Sequence, residues 1–208
     1  MLALRGLFLP SSSVKKKRED GCQKQLAHKK LHELLEKYDL EMLKKAQEGR
    51  CPFCGEPLHR GDYDRKPNGG PAHWDKRYSL CCSADGCRRR VTPASVRFFG
   101  RRAYVAPFFL LVSALNHGLT PARVGRLSQI FGVDRHTLKR WRQWWRENFV
   151  HSAFWKEARA RFMPLLGEIT LPRSLLQAFG LPWCTQLVAA LKFLAPLTVP
   201  ATAESRVM

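Results

Sequence analysis

Cys51-Pro52-Phe53-Cys54-Gly55 and Cys81-Cys82-Ser83-Ala84-Asp85-Gly86-Cys87 are the stretches whose residue types and spacing fit a definite chemistry. Thiols in two short pairs, one on each side of a longer arm, are the ligand pattern of a tetrahedral zinc ion. Each pair wraps one side of the ion from a tight turn, and the arm supplies a β-hairpin. Gly55 turns the backbone under the metal without a Cβ clash. The expected ligands are Cys51, Cys54, Cys82 and Cys87, holding one Zn2+ per chain. Cys81 is the alternative to Cys82. Tyr78, Leu80 and Cys82 alternate, so on a strand they share one face, and this favours Cys82. His59 and His73 lie in the arm and could replace a thiolate, although loop histidines are more often simply exposed.

Other uses of thiols fit less well. A Cys-Pro-x-Cys redox dithiol sits at a strand-to-helix turn in a βαβ setting, and nothing here reads that way. Structural disulfides are disfavoured by an odd number of cysteines, seven, and by the lack of a convincing export signal. The first ten residues are apolar but broken by Arg5 and ended by Pro10. The basic run Lys15-Lys16-Lys17-Arg18 follows them, the wrong order for a secretory leader. Residues 1–20 therefore read as a disordered basic arm.

The chain has 208 residues, with 36 Lys+Arg against 17 Asp+Glu and a formal charge of +19. That length supports one or two small domains, not a large catalytic core. So positive a field concentrates polyanions, which points to nucleic acid or an anionic membrane surface. Double-stranded DNA is the expected partner. No apolar run is long enough to span a bilayer, and cysteine without disulfide logic suggests the cytoplasm, at the nucleoid.

The elements that must position the thiols can be read in order. Leu31, Leu34, Leu35, Tyr38, Met42 and Leu43 recur mostly at three- and four-residue steps, so an N-terminal helix is expected within 21–50. Gly49 ends it just before the first thiol pair. The arm 55–77 is rich in Gly and Pro and reads as a long loop excursion, with Tyr63 and Trp74 available to pack over the metal. Residues 51–102 form the zinc ribbon and an Arg-rich link: Arg88, Arg89, Arg90, Arg97, Arg101 and Arg102 fall there with no acid after Cys87. Arginine suits forked contacts to phosphate.

Residues 103–117 are apolar nearly all round and read as a buried helix ended by Gly118. Thr120 then caps a helix that has Pro121 at its first position. Val124, Leu127 and Ile130 form its buried stripe, and Gly132 provides its C-terminal turn. Asp134 caps the next helix, with Val133 and Leu138 placed for a hydrophobic staple. Leu138, Trp141 and Trp145 share one face of that helix; Arg135, Lys139, Arg142 and Arg146 share another. Residues 103–150 thus read as a three-helix helix-turn-helix domain with 134–146 as the recognition helix. Arg135, His136, Lys139, Arg140, Arg142 and Arg146 would face DNA, and Arg123 and Arg126 would meet backbone phosphates. Residues 151–208 read as an apolar helical segment cut by Pro172, Gly180, Pro182 and Pro196, which either closes the core or forms a homodimer face.

A two-knuckle cysteine ribbon, an Arg-rich link and a helix-turn-helix, in this order, resemble the N-terminal DNA-binding region of bacterial insertion-sequence transposases. The resemblance covers about residues 51–150 and rests on the thiol pairs, Gly86-Cys87-Arg88-Arg89-Arg90, Ser95-Val96-Arg97-Phe98-Phe99-Gly100-Arg101-Arg102, and Phe131-Gly132-Val133-Asp134 with Leu138 and Trp141. It implies DNA recognition in a mobile element. Such transposases continue into a nuclease domain whose three acidic residues hold two metal ions. Here only Glu147, Glu157, Glu168 and Glu204 follow Asp134, and a two-metal site needs several convergent carboxylates.

The expected fold is therefore mainly α with a small β zinc ribbon. The expected function is zinc-dependent DNA binding, transposase-like or transposon-associated, without enzymatic activity and with a separate transposase as a partner. A transcriptional regulator using 171–199 as a dimer face, or an RNA-associated zinc-ribbon protein, are the alternatives.

Overall fold

Leu31, Leu35, Asp39 and Leu43 are spaced by four residues, and all are buried along one side of helix α1 (Lys29–Glu48). Such a row packs a helix against the rest of the chain, and its charged opposite face stays in water. The computed structural model describes residues 29–65, 74–99, 104–106, 120–162, 165–180 and 183–199. The basic arm 1–20 expected from the sequence lies outside them, as do the first residues of the expected N-terminal helix. Gly49 closes α1 as expected, its N–H donating to Lys45 O.

The described residues are mostly helical with a small amount of sheet. Among the described residues seven short strands follow α1: β1 (Leu58–Arg60), β2 (Tyr63–Asp64), β3 (Lys76–Arg77), β4 (Leu80–Cys82), β5 (Arg90–Val91), β6 (Phe98–Phe99) and β7 (Tyr104–Val105). β1, β4 and β5 form an antiparallel sheet in that order, with Leu58 opposite Cys82 and Leu80 opposite Val91. The pairs β2–β3 and β6–β7 are separate antiparallel ribbons. The arm holds more regular structure than its Gly and Pro content suggests, because β2 pairs with β3 and β1 with β4, on either side of residues 66–73. Tyr104 and Val105 were expected to open a buried helix. They instead pair with Phe99 and Phe98, so the Arg-rich link folds back as a hairpin. Residues 107–119, where the rest of that helix was expected, lie outside the described residues.

Helix α2 (Pro121–Phe131) ends at Gly132, whose φ of 62° is the left-handed conformation glycine adopts at little cost. Thr120 is the N-cap in extended geometry, but its side chain makes no capping bond; Pro121 alone shapes that start. Three residues separate the end of α2 from helix α3 (Arg135–Gln143). Asp134 accepts from the Thr137 N–H at its N-cap, and Val133 and Leu138 are both buried, as the staple requires. The helix continues as a π-helical stretch, Trp144–Phe149, which brings Trp145 and Phe149 into the core with ring centroids 4.7 Å apart.

Among the described residues, helices α4 (Ala153–Ala158), α5 (Arg173–Ala178) and α6 (Trp183–Leu194) follow, with breaks at Pro172, Gly180 and Pro196 as expected. Leu175, Leu187, Val188, Leu191 and Leu194 are buried with Trp155 and Phe149, so this segment closes the helical core.

Two cores result. The larger joins Leu31 and Leu35 of α1 to Trp74, Phe98, the α3 tryptophans and the C-terminal helices. The smaller consists of Leu43, Cys51, Leu58, Tyr78, Leu80 and Cys82. Trp74, expected near the metal, belongs to the larger core. Tyr63 lies on the ribbon surface beneath the Arg90 guanidinium, 5.2 Å from ring centroid to Cζ.

Candidate metal centre and cationic helix face

Pro52, Phe53 and Cys54 form a tight turn at the end of α1, and Gly55 follows with φ of 77°. The Gly55 N–H donates to Cys51 O, and the Cys51 N–H to Glu56 O, closing the first thiol loop on itself. In the second loop Cys87 N–H donates to Ala84 O, and Cys82 N–H reaches Arg89 O across to β5. Each loop presents two sulfurs inward.

The Sγ atoms of Cys51, Cys54, Cys82 and Cys87 all lie within 4.8 Å of one another. Cys51 Sγ is 3.8 Å from Cys87 Sγ, and Cys54 Sγ is 3.3 Å from Cys82 Sγ. A tetrahedron of sulfurs around zinc with bonds of about 2.3 Å has edges of about 3.8 Å. A disulfide needs its sulfurs about 2.05 Å apart, so these are free thiols around a metal-sized space.

Sharing that space separates their acidities. For Cys51 burial raises the pKa, but the N–H groups of Phe53 and Cys54 and the neighbouring thiols outweigh it and bring it down to about 7. For Cys54 the Glu56 N–H lowers the pKa, yet the other sulfurs and burial push it up to about 12. Burial raises Cys82 too. Cys51 ionises readily, and Cys54 and Cys82 then resist. A cation at the centre removes that conflict by favouring all the thiolates at once.

Strand alternation decides between the neighbouring cysteines. Tyr78, Leu80 and Cys82 are buried on the metal side of the sheet. Cys81 faces away, paired with His59 on β1 and Arg90 on β5. A Cβ on Gly61 would lie 2.6 Å from Cys81 Sγ, so the side chain fits there only because Gly61 has none. His59 is exposed on that outer side and is not a ligand; His73 lies outside the described residues.

The arginines of the link divide. Arg88 pairs with Asp85, and Arg89 lies exposed over the Phe53 ring. Arg90 donates to Gly61 O and to Ser79 Oγ, fastening β5 across the sheet. Arg97 is a correction. It was expected at phosphates but is only 1% exposed, its Nε donating to Asp39 Oδ2 at 2.8 Å. Its guanidinium also stacks over Tyr78, 4.3 Å from the ring centroid. Asp39 accepts from Ser95 Oγ and the Val96 N–H as well. The sequence held a signal for this: Asp39 is an acid placed in the leucine row of α1, where only a buried partner would justify it. Arg101 and Arg102 lie outside the described residues, as do the side chains of Arg123 and Arg126.

On α3, Leu138, Trp141 and Trp145 are buried and Arg135, His136, Lys139, Arg140 and Arg146 are exposed, with Arg142 half-buried. Arg140 donates to Thr137 Oγ1. Among the described residues Arg135, Lys139, Arg142 and Arg146 have no carboxylate partner. The two nearest acids in sequence are already engaged, Asp134 by Thr137 and Glu147 by Gln143. No helix among the described residues is long and apolar enough to cross a membrane.

No family model, no curated protein and no solved structure matches this chain.

Proposed function

We infer that this protein binds double-stranded DNA through α2 and α3 acting as a helix-turn-helix, with one Zn2+ held by Cys51, Cys54, Cys82 and Cys87 as a structural ion. The observation that carries the reading is the α3 face. Arg135, Lys139 and Arg146 project into solvent without a carboxylate to neutralise them, on a helix whose opposite side is anchored by Trp141 and Trp145. Like charges on one rigid face repel unless a polyanion meets them, and a phosphate-lined major groove is such a partner. The anchor fixes the helix; the charged side stays available.

Four soft sulfur ligands suit zinc, which has no redox chemistry and takes tetrahedral sites. A closed set of four thiolates leaves no open position for water, so the ion serves folding and not hydrolysis. DNA recognition of this kind is in keeping with a transposase-like or transposon-associated role. Trp141 and Trp145 are buried and unavailable to stack on RNA bases, which favours DNA over an RNA partner.

The test is selection of a preferred duplex from a random pool by the zinc-loaded chain, followed by salt titration. Enrichment of a defined site, with affinity falling steeply as salt rises, is expected. Binding that is equal on all sequences would reduce α3 to a basic surface.

A further inference from the structure

Phe53 stands between two of the proposed metal ligands and is 39% exposed. The guanidinium of Arg89 lies over it, with Cζ 4.4 Å from the ring centroid. Other arginine–aromatic pairs on the ribbon are internal fastenings. Arg90 over Tyr63 is spent on Gly61 O and Ser79 Oγ, and Arg60 over Tyr78 is paired with Asp62 at 2.7 Å. Arg89 differs. It is exposed, and the Phe53 ring is its one side-chain partner among the described residues. The backbone of each member is fixed. Phe53 is confined by the loop between Cys51 and Cys54, and Arg89 O accepts from Cys82 N–H at 3.0 Å.

An exposed apolar ring costs solvation, and covering the metal does not explain leaving it at the surface. A planar ring beside a planar guanidinium is a surface on which a nucleobase stacks, whatever its identity. Charge around it fits the same ligand. Arg50, exposed, immediately precedes Cys51 with its Nη1 3.5 Å from Gly55 O, whereas Arg88, which follows Cys87, is held by Asp85. Arg50 and Arg89 are thus the cations beside the loop where the phosphates of a stacked nucleotide would run. Duplex DNA keeps its bases stacked inside, so the ligand must offer an unpaired one.

We propose that Phe53 and Arg89 form a stacking platform for an unpaired base at a single-stranded DNA segment adjoining the duplex held by α3. The proposal rests on the DNA-binding reading and adds a second contact, on the metal loop.

The experiment measures affinity of the full, zinc-loaded chain for a blunt duplex and for the same duplex carrying a short thymidine tail. The tailed duplex should bind more tightly. Phe53→Ala should lose about five- to a hundredfold on the tailed duplex and nearly nothing on the blunt one. Arg89→Ala should fall between, and Phe53→Trp should retain the preference. Phe53→Leu separates stacking from filling: it keeps apolar cover on the loop and the zinc, yet should lose the tail preference. Wild-type affinity equal for both duplexes, or Phe53→Leu binding the tail like wild type, would overturn the platform alone. Binding to neither duplex would overturn the DNA reading and this inference together. A thymidine tail bettered by an unstructured RNA of the same length would reassign the platform to RNA.

Discussion

Arg97 Nε lies 2.8 Å from Asp39 Oδ2, and both side chains are all but sealed from solvent. The pair joins the middle of α1 to the chain entering β6, and Glu36 stands on its other side, 3.6 Å from Arg97 Nη1. Asp39 also takes Ser95 Oγ and the Val96 N–H, so the carboxylate organises the approach to β6 as well as neutralising the guanidinium. Removing one partner strands the other charge in a dry site. Arg97→Ala or Asp39→Ala should each destabilise the fold by about 3–5 kcal/mol, while the apolar double replacement Asp39→Leu/Arg97→Met should cost clearly less than either. Denaturant midpoints of the three variants decide. Singles that melt like wild type would show that the pair is not a structural tie.

Metal content separates the four sulfurs from the fifth. Purified protein should hold about one zinc per chain and show no iron–sulfur absorption. Cys82→Ser should lose the ion and much of the thermal stability, since a small core such as that of Leu43, Leu58 and Leu80 depends on it. Cys81→Ser should keep both. Equal zinc loss in the two serine variants would mean the sheet register differs from the one described.

Gly61 and Cys81 should behave as a coupled pair. Gly61→Ala puts a methyl group 2.6 Å from Cys81 Sγ and should cost about 1–3 kcal/mol by overpacking. Cys81→Ala removes the offending sulfur, so the double variant should recover most of the loss without touching the zinc. Additive losses in a double-mutant cycle would contradict the contact.

Asp134 gives a pH signature. The Thr137 N–H, outweighing a smaller opposing effect of burial, holds its carboxyl below the usual range, helped by the Thr137 hydroxyl. The folded state therefore prefers the charged cap. Its contribution is fully present above the unfolded value of about 3.9 and is lost as pH falls through the depressed folded value. Asp134→Asn caps without charge, so the melting-temperature gap between wild type and this variant should close as pH drops below about 4. A gap constant across that window would show the cap to be uncharged already.

On the α3 face, Arg135→Ala or Lys139→Ala should weaken binding to a selected duplex by about 1–3 kcal/mol and relax its sequence preference. Arg88→Ala should weaken all sequences alike and flatten the log–log salt slope by about one unit. Identical behaviour of the two groups in paired salt titrations would remove the distinction between base and phosphate contacts.

The four sulfurs and the turn between α2 and α3 were legible because local chemistry dictates them. Thiol spacing, a left-handed Gly132 and an N-cap at Asp134 each declare themselves within a few residues. Arg97 was misread because it falls between two arginine runs, whereas its partner Asp39 sits fifty-eight residues away on α1. The hairpin of Phe98 and Phe99 with Tyr104 and Val105 was hidden for a related reason. An apolar run reads equally as buried helix or buried strand until its partner is known.

Helix α1 contributes Leu43 to the core around the sulfurs and Leu31 and Leu35 to the core under α3. A single helix embedded in both couples the two cores, so melting either one exposes part of the other. Chelating the metal should therefore be felt as faster amide exchange at the Leu43 end of the helix first, spreading toward Leu31 and the tryptophans behind the charged helix. An ion held by the four sulfurs, though distant from α3 in the chain, should therefore help set how firmly that helix is held.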